Sequence, residues 1–159
     1  MEGQVEDQVM DKQPKIMSRI EYEEWMAKQP KDLCAFCEWK KNQIVIYEGY
    51  KWLWVANLAP YWKIHTLLVP KRHFKEYGEM TNSEAVEFKQ LIDKAIKKYE
   101  TLGVERFVHF WRKRKNSFDP KTGKKKVDHF HVHLCDDFDG MWDPILDDKA
   151  KEWDVNIMR

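Results

Sequence analysis

The sequence has little excess charge, few cysteines and no long apolar run. Its 159 residues include 28 Lys and Arg against 27 Asp and Glu, so the net charge of +1 indicates no class of partner. Three cysteines and a polar N-terminal stretch argue against a secreted, disulfide-bonded protein. No window approaches the roughly 18 apolar residues that a membrane-spanning helix needs. We therefore expect a soluble, cytoplasmic (intracellular) protein with reduced thiols and no membrane partner.

The length of the chain allows one domain with a sizeable core and argues against two. Residues 1–17 lack apolar periodicity and are predicted to form a disordered tail, which leaves residues 18–159 as the single domain. Eight tryptophans are present, and large aromatic side chains more often fill cores than stack on bases. Trp52 and Trp54 alternate on a predicted strand, so both are expected on one buried face.

Charge of one sign is concentrated in two places. Nine basic residues and one acid lie between Arg106 and Lys126, whereas six aspartates and no basic residue lie between Asp136 and Asp148. Such runs usually form solvated faces. The basic run leads directly into three histidines, however, so residues 112–126 could also bind a nucleic acid.

Two segments have the apolar spacing of helices. Residues 18–28 predict a short N-terminal helix that begins at a capping serine and packs Ile20 and Trp25 inward. Residues 82–99 predict one long helix, capped at one of its first two residues. Its predicted apolar stripe comprises Val86, Leu91, Ile92 and Ile96.

Five segments rich in β-branched and aromatic residues predict strands, and Gly49 with Tyr50 predicts a turn between the first two. These segments are residues 43–48, 51–57, 64–70, 106–111 and 128–134. The long helix falls between the third and fourth strands. This order predicts an α+β domain: a mostly antiparallel five-stranded sheet with one long helix and a short N-terminal helix.

The last predicted strand carries His129, His131 and His133 at alternate positions, in the sequence DHFHVHLCDD. The apolar residues between them would face the core, and the histidines would line the other face. Adjacent histidines would then stand roughly 6.6 Å apart and the outer two roughly 13 Å apart, too far for one metal ion to bind all three. A lone buried histidine is usually structural, but a row beside a lysine-rich run favours phosphoryl chemistry, because imidazoles act as nucleophiles and transfer protons near neutral pH.

Cys34 and Cys37 form a lone CxxC pair, for which zinc binding, redox activity and coincidence are all open interpretations. A redox pair would be expected in a thioredoxin-like βαβ context, which the predicted elements do not provide. A zinc site needs four ligands and could be completed by two histidines. His73 and one member of the histidine row are the natural candidates, with His65 as a competitor. Cys135 is interpreted as a small residue at the end of a strand.

Together these residues resemble the histidine triad family, whose motif alternates three histidines with apolar residues and here reads HFHVHLC. Residues 57–74 (NLAPYWKIHTLLVPKRHF) are similar to the family segment that ends in Val-Pro-Lys-x-His, and CAFC is similar to the cysteine pair of the zinc-binding branch. The resemblance spans residues 34–135. Each motif is modest alone, but their order along the chain is specific.

The resemblance implies a role for each matching residue. His131, the middle histidine, would attack the α-phosphorus of a nucleotide and form a nucleotidyl-histidine that water hydrolyses. His133 would stabilise the phosphate or manage protons, and His65 would lie close to the active site. The zinc-binding branch further implies a structural Zn²⁺ site formed by Cys34, Cys37, His73 and His129.

Two departures from the family pattern concern the substrate. Asn57 stands where many members carry an aspartate that binds the ribose hydroxyls. Asn57 is therefore the predicted contact to the ribose. Polar residues before the triad strand are replaced by lysines, of which Lys125 and Lys126 are the predicted phosphate contacts. This lysine cluster could accommodate a longer polyphosphate or a nucleic-acid backbone.

The implied function is a nucleotide hydrolase of the phosphoramidate or dinucleoside-polyphosphate type. A third histidine, His133, in place of a glutamine favours a hydrolase over a nucleotidyl transferase. The alternative is a zinc-stabilised module that binds nucleotides or nucleic acid with little or no turnover. Family members commonly form dimers, so a homodimer is expected.

Overall fold

The computed structural model describes residues 14–30, 33–113, 128–136 and 155–159. The helices are α1 (Arg19–Ala27), α2 (Trp39–Asn42) and α3 (Asn82–Thr101), with 3-10 turns at Tyr77–Glu79 and Val155–Met158. The strands are β1 (Val45–Glu48), β2 (Trp52–Ala56), β3 (His65–Pro70), β4 (Phe107–Phe110) and β5 (Val132–Asp136). They form one sheet in the order β1-β2-β3-β5-β4, with every neighbouring pair antiparallel. The predicted fold class is confirmed.

The two faces of the sheet carry separate apolar clusters. Trp52 and Trp54 belong to the cluster that includes buried residues of α3, such as Leu91, which confirms the prediction for the tryptophans. On the opposite face, Leu53 and Leu67 pack with other apolar residues against the loop that holds the CxxC pair. The second face is the one on which the site is built.

Helix α3 begins at Asn82, as predicted, but its N-cap is neither of the two predicted residues. Thr81 is its N-cap, because the Thr81 hydroxyl accepts from the Glu84 amide at 3.2 Å while the Glu84 carboxylate accepts from the Thr81 amide at 2.9 Å. The predicted stripe is also wrong at Val86, which is 60% exposed. The buried positions of α3 are Glu84, Leu91, Ala95 and Tyr99.

Helix α1 is capped by Ser18, as predicted, through a 3.3 Å hydrogen bond from the Glu21 amide. The expected inward packing of Ile20 is wrong, since Ile20 is 48% exposed and α1 has no buried residue. The buried anchor is Met17, whose amide donates to the Leu58 carbonyl at 2.7 Å. Residues 1–13 of the predicted tail lie outside the described residues, and the domain division stays a prediction.

The triad strand begins later than predicted. Strand β5 starts at Val132, so His129 and His131 precede it, although the apolar residues between the histidines are buried as expected. Lys125 and Lys126, and the part of the acidic run that follows Asp136, lie outside the described residues. Within the described ranges, no helix is both long and apolar enough to cross a membrane.

Candidate active site and metal centre

The pairing of β3 with β5 brings two histidine-rich segments together. Their antiparallel register places the C-terminal end of β3, at Pro70, beside the start of β5, with Leu68 opposite Val132. His73 follows β3 closely and His129 precedes β5 closely, so the two rings meet at this end of the sheet with centroids 4.7 Å apart. Residues 56 positions apart thus become neighbours through strand pairing.

Cys34, Cys37, His73 and His129 converge on one point. Each offers one ligand atom, and these four atoms all lie within 4.8 Å of one another. Nδ1 of His129 lies 3.5 Å from each sulfur, and Nδ1 of His73 lies 3.3 Å from the Cys37 sulfur. The two Nδ1 atoms are 3.0 Å apart.

These separations are those of a tetrahedral zinc site. Zinc bonds of about 2.3 Å to sulfur and about 2.0–2.1 Å to nitrogen put sulfur and nitrogen ligands about 3.6 Å apart, and two nitrogens about 3.3 Å apart. Each distance between Nδ1 of His129 and the other three ligand atoms is within about 0.3 Å of these values. The two-cysteine, two-histidine donor set also matches that of structural zinc sites.

Outer contacts orient both imidazoles toward this point. Nε2 of His129 donates to the Pro70 carbonyl at 2.7 Å, which leaves the lone pair on Nδ1, among the ligand atoms. Nε2 of His73 lies 3.8 Å from a carboxylate oxygen of Asp128. Carbonyl and carboxylate partners on the second ring nitrogen are the usual supports of metal-bound histidines.

Burial disfavours the charged forms of two side chains in this cluster. Burial, followed by the neighbouring Cys34, raises the pKa of the Cys37 thiol to about 11. Burial lowers the pKa of His129 to about 4, against the smaller raising effect of the Pro70 carbonyl. A neutral imidazole is a metal ligand as it stands, whereas the thiols must lose their protons on binding a metal ion.

The hydrogen bond of His131 fixes which ring nitrogen carries its proton. Nδ1 lies 2.8 Å from the carbonyl oxygen of His129, and a carbonyl can only accept. The proton of the neutral ring is therefore on Nδ1, and the lone pair is on Nε2. The Phe36 ring, from the CxxC loop, packs 5.3 Å from the His131 ring.

His65 and His133 form a second, directional pair. The amide of Tyr61 donates to Nδ1 of His65 at 3.0 Å, so Nε2 of His65 carries the proton and donates to Nδ1 of His133 at 2.8 Å. Neutral His133 then carries its own proton on Nε2. Burial, followed by the positive charge of Arg112, lowers the pKa of His65 to about 3, which keeps it neutral at physiological pH. His65 lies outside the cysteine cluster and beside the triad.

Asn57 has contacts that belong to the fold as well as to the site. Its Oδ1 accepts from the Ala59 amide at 2.9 Å, and its Nδ2 lies 3.3 Å from Nδ1 of His65, the ring nitrogen that carries the lone pair. The side chain therefore supports the turn that presents His65.

Two aromatic neighbours of the site were not singled out by sequence reasoning. The Phe110 ring stacks on the His133 ring, with centroids 4.5 Å apart and planes at 6°. Trp62 lies 5.4 Å from the His65 ring and 5.8 Å from that of Phe110. The sequence alone could not identify Phe110 as a site residue, because its place opposite His133 depends on the pairing of β4 with β5.

The sequence matches a family model and a curated relative. The HIT domain model matches residues 39–139, which is more than half of the chain. An uncharacterised HIT-like protein of Methanocaldococcus jannaschii is 24% identical over 127 residues, which cover 78% of this chain and 94% of that protein.

Solved structures share the fold. A HIT family hydrolase of Clostridium thermocellum is 22% identical, with a TM-score of 0.50, and the match covers 68% of this chain and 93% of that one. A zinc-bound histidine triad family protein of Mycobacterium smegmatis is 18% identical, with a TM-score of 0.55 and coverage of 81% and 95%. Triad geometry, fold and family model agree, and the chain belongs to the histidine triad (HIT) family.

Proposed function

We propose that the protein is a nucleotide hydrolase that acts through a covalent nucleotidyl-His131 intermediate. The observation that carries this proposal is the 2.8 Å contact from Nδ1 of His131 to the His129 carbonyl, which leaves a lone pair on Nε2. A neutral imidazole with this proton placement is ready to act as a nucleophile. The hydrolase description of the Clostridium relative supports the same reaction class.

In the proposed reaction, Nε2 of His131 donates its lone pair to the α-phosphorus of the nucleotide. The bond from phosphorus to the leaving group breaks, and the leaving group takes the electron pair; a leaving amine also takes the proton of Nε2 of His133. Water then attacks the same phosphorus as the nitrogen–phosphorus bond breaks, and the proton that water loses passes to Nε2 of His133 or to the solvent. His133, oriented by the 2.8 Å hydrogen bond from His65, supplies an Nε2–H for the phosphate oxygens or for proton transfer.

Zinc is proposed as the metal of the cysteine cluster, with Cys34, Cys37, His73 and His129 as its ligands. The zinc-bound Mycobacterium relative supports this choice. A structural zinc ion would tie the CxxC loop to β3 and β5 and take no part in the reaction. His131 is not one of these ligands.

The remaining proposals concern the substrate contacts, the cellular location and the oligomeric state of the protein. Asn57 and His65 are proposed to lie against the ribose and the phosphate, and Lys125 and Lys126 to bind phosphate as point charges. We propose an intracellular homodimer that hydrolyses a phosphoramidate or a dinucleoside polyphosphate.

The proposed function is tested by replacing the nucleophile. His131→Asn should reduce nucleotide hydrolysis by at least about a thousandfold, because no covalent route then exists. The matched control is His109→Asn, which removes an exposed histidine of β4. Equal activity of wild type and His131→Asn would refute the proposal.

A second candidate function is a binding module with little turnover. It is favoured by Asn57, which lacks the expected carboxylate, and by the basic run of residues 112–126. This function predicts binding of a nucleotide or of nucleic acid that weakens steeply with salt. It would be rejected if neutralising the lysines between positions 113 and 126 left binding unchanged.

A further inference from the structure

Arg112 follows strand β4 and lies near the histidine triad. In the β4–β5 register, Phe110 lies opposite His133. Strand β4 ends at Phe110 and β5 begins at Val132; the same register continued by two residues would bring Arg112 opposite His131. Because alternate residues of an extended segment share a face, Arg112 lies on the face that carries Phe110 and the triad.

Side-chain contacts agree with this position. Cζ of Arg112 lies 5.1 Å from the centroid of the Phe110 ring, and that ring stacks on His133 at 4.5 Å. The guanidinium, the phenyl ring and the imidazole thus follow one another along the site. The charge of Arg112 also acts on the pair formed by His65 and His133. After burial, it is the largest cause of the lowered pKa of His65.

Arg112 differs in this respect from its neighbour Lys113. Nζ of Lys113 lies 3.2 Å from the carboxylate of Glu76, so its charge is paired away from the triad. Arg112 is exposed and makes no salt bridge to a carboxylate within the part of the chain that the structure describes. Its guanidinium is therefore a permanent positive charge beside the site.

The positive charge of Arg112 suits a phosphate leaving group better than an amine leaving group. A leaving group that departs as a phosphate takes negative charge with it, and a guanidinium fork binds phosphate oxygens in pairs. A leaving amine needs a proton instead, which an arginine cannot supply because it stays protonated at any physiological pH. His65, which is neutral at physiological pH, adds no positive charge of its own.

We propose that Arg112 binds the leaving-group phosphate, so that this chain prefers substrates whose nucleotide is joined through a phosphoanhydride to a further phosphate. The proposal rests on the proposed function and assigns its substrate class. As the bond between the α-phosphorus and the bridging oxygen breaks, the electron pair passes to that oxygen. Arg112 offsets the charge that develops on the departing phosphate.

The kinetic test compares two substrates, diadenosine tetraphosphate and adenosine 5′-phosphoramidate. Arg112→Gln should lower kcat/KM for the tetraphosphate by about 10- to 100-fold, the loss expected for one charged hydrogen-bonding group. The phosphoramidate should lose less than about threefold, and Arg112→Lys should recover part of the tetraphosphate activity. Lys97→Gln, which removes an exposed positive charge from helix α3, should leave both values near wild type.

Equal losses on the two substrates, or no loss on either, would overturn the assignment of Arg112. A wild type that hydrolyses neither substrate would instead refute the proposed function. In that event Arg112 is tested by equilibrium binding of ADP and AMP. Wild type should prefer ADP, and Arg112→Gln should abolish the preference, whereas an unchanged ratio of the two affinities would contradict the proposal.

Discussion

The proton of His131 is placed by a backbone atom rather than by another titrating side chain. The acceptor is the carbonyl of His129, 2.8 Å away, so the tautomer persists wherever the ring is neutral. His129 is also the residue whose Nδ1 lies in the cysteine cluster. One peptide unit therefore links the proposed metal site to the proposed nucleophile, and their geometries are coupled.

A pH prediction follows from the burial of His65. Burial, and then the charge of Arg112, lowers its pKa from 6.5 to about 3, so the folded chain binds fewer protons here than the unfolded chain between these values. The contribution of His65 to the free energy of unfolding is present above pH 6.5 and is lost as the pH falls toward 3. His65→Gln should therefore make the free energy of unfolding fall less steeply between about pH 7 and about pH 4.5 in urea titrations.

The control for this prediction is His109→Gln, because His109 is exposed and should not change the slope. If wild type and His65→Gln lose stability in parallel on acidification, the buried and neutral state of His65 is not what makes the fold sensitive to acid.

At the scale of elements, α3 holds the β1–β2 hairpin through one carboxylate. Glu87 accepts hydrogen bonds from the amides of Tyr50 and Lys51, both at 2.6 Å. The turn approaches the helix so closely that a Cβ on Gly49 would lie 2.6 Å from a Glu87 oxygen and 3.0 Å from the Trp52 carbonyl oxygen. This close approach explains the glycine at the turn.

Gly49→Ala should therefore lower the free energy of unfolding by about 1–3 kcal/mol, because the added methyl group displaces a carboxylate that makes two charge-assisted hydrogen bonds. Chemical denaturation would measure the change. Gly78→Ala is the matched control, since a Cβ on Gly78 meets no atom within 4 Å. Similar midpoints for the two variants would show that Glu87 does not clamp the hairpin.

At the scale of the whole molecule, sequence patterning predicted the helices and strands better than it predicted which strands pair with each other. Alternation and turn residues located all five strands and both predicted helices, because they report local periodicity. They did not reveal that β5 lies between β3 and β4, so Phe110 was missed. The cap at Thr81 was also mispredicted, although its capping box with Glu84 is local. The exposure of Val86 was mispredicted because it depends on how α3 meets the sheet.

The cysteine cluster shows the same limit. Spacing alone left zinc, redox activity and coincidence open for Cys34 and Cys37. It offered His73, His65 and the histidine row as further ligands, and the family resemblance selected His73 and His129. The convergence of the four ligand atoms within 4.8 Å depends on two chain segments that meet only when β3 pairs with β5. Metal-site geometry is thus a property of the tertiary fold.

Metal analysis tests that geometry. Purified wild type should contain about one zinc ion per chain, and Cys37→Ser should lose most of it together with several degrees of Tm. Cys135→Ala is the control, because the third cysteine lies in β5 outside the cluster and its removal should leave the zinc content unchanged. Zinc-free wild type, or full zinc content in Cys37→Ser, would contradict the assigned ligands.

The central claim, covalent catalysis by His131, is tested most directly by rapid quenching followed by mass spectrometry. Wild type mixed with a nucleotide substrate should show a mass increase of one nucleotidyl group within the first turnover, and peptide mapping should place it on His131. His131→Asn should show no adduct under the same conditions. Turnover without an adduct on wild type, or an adduct on a different residue, would contradict the mechanism.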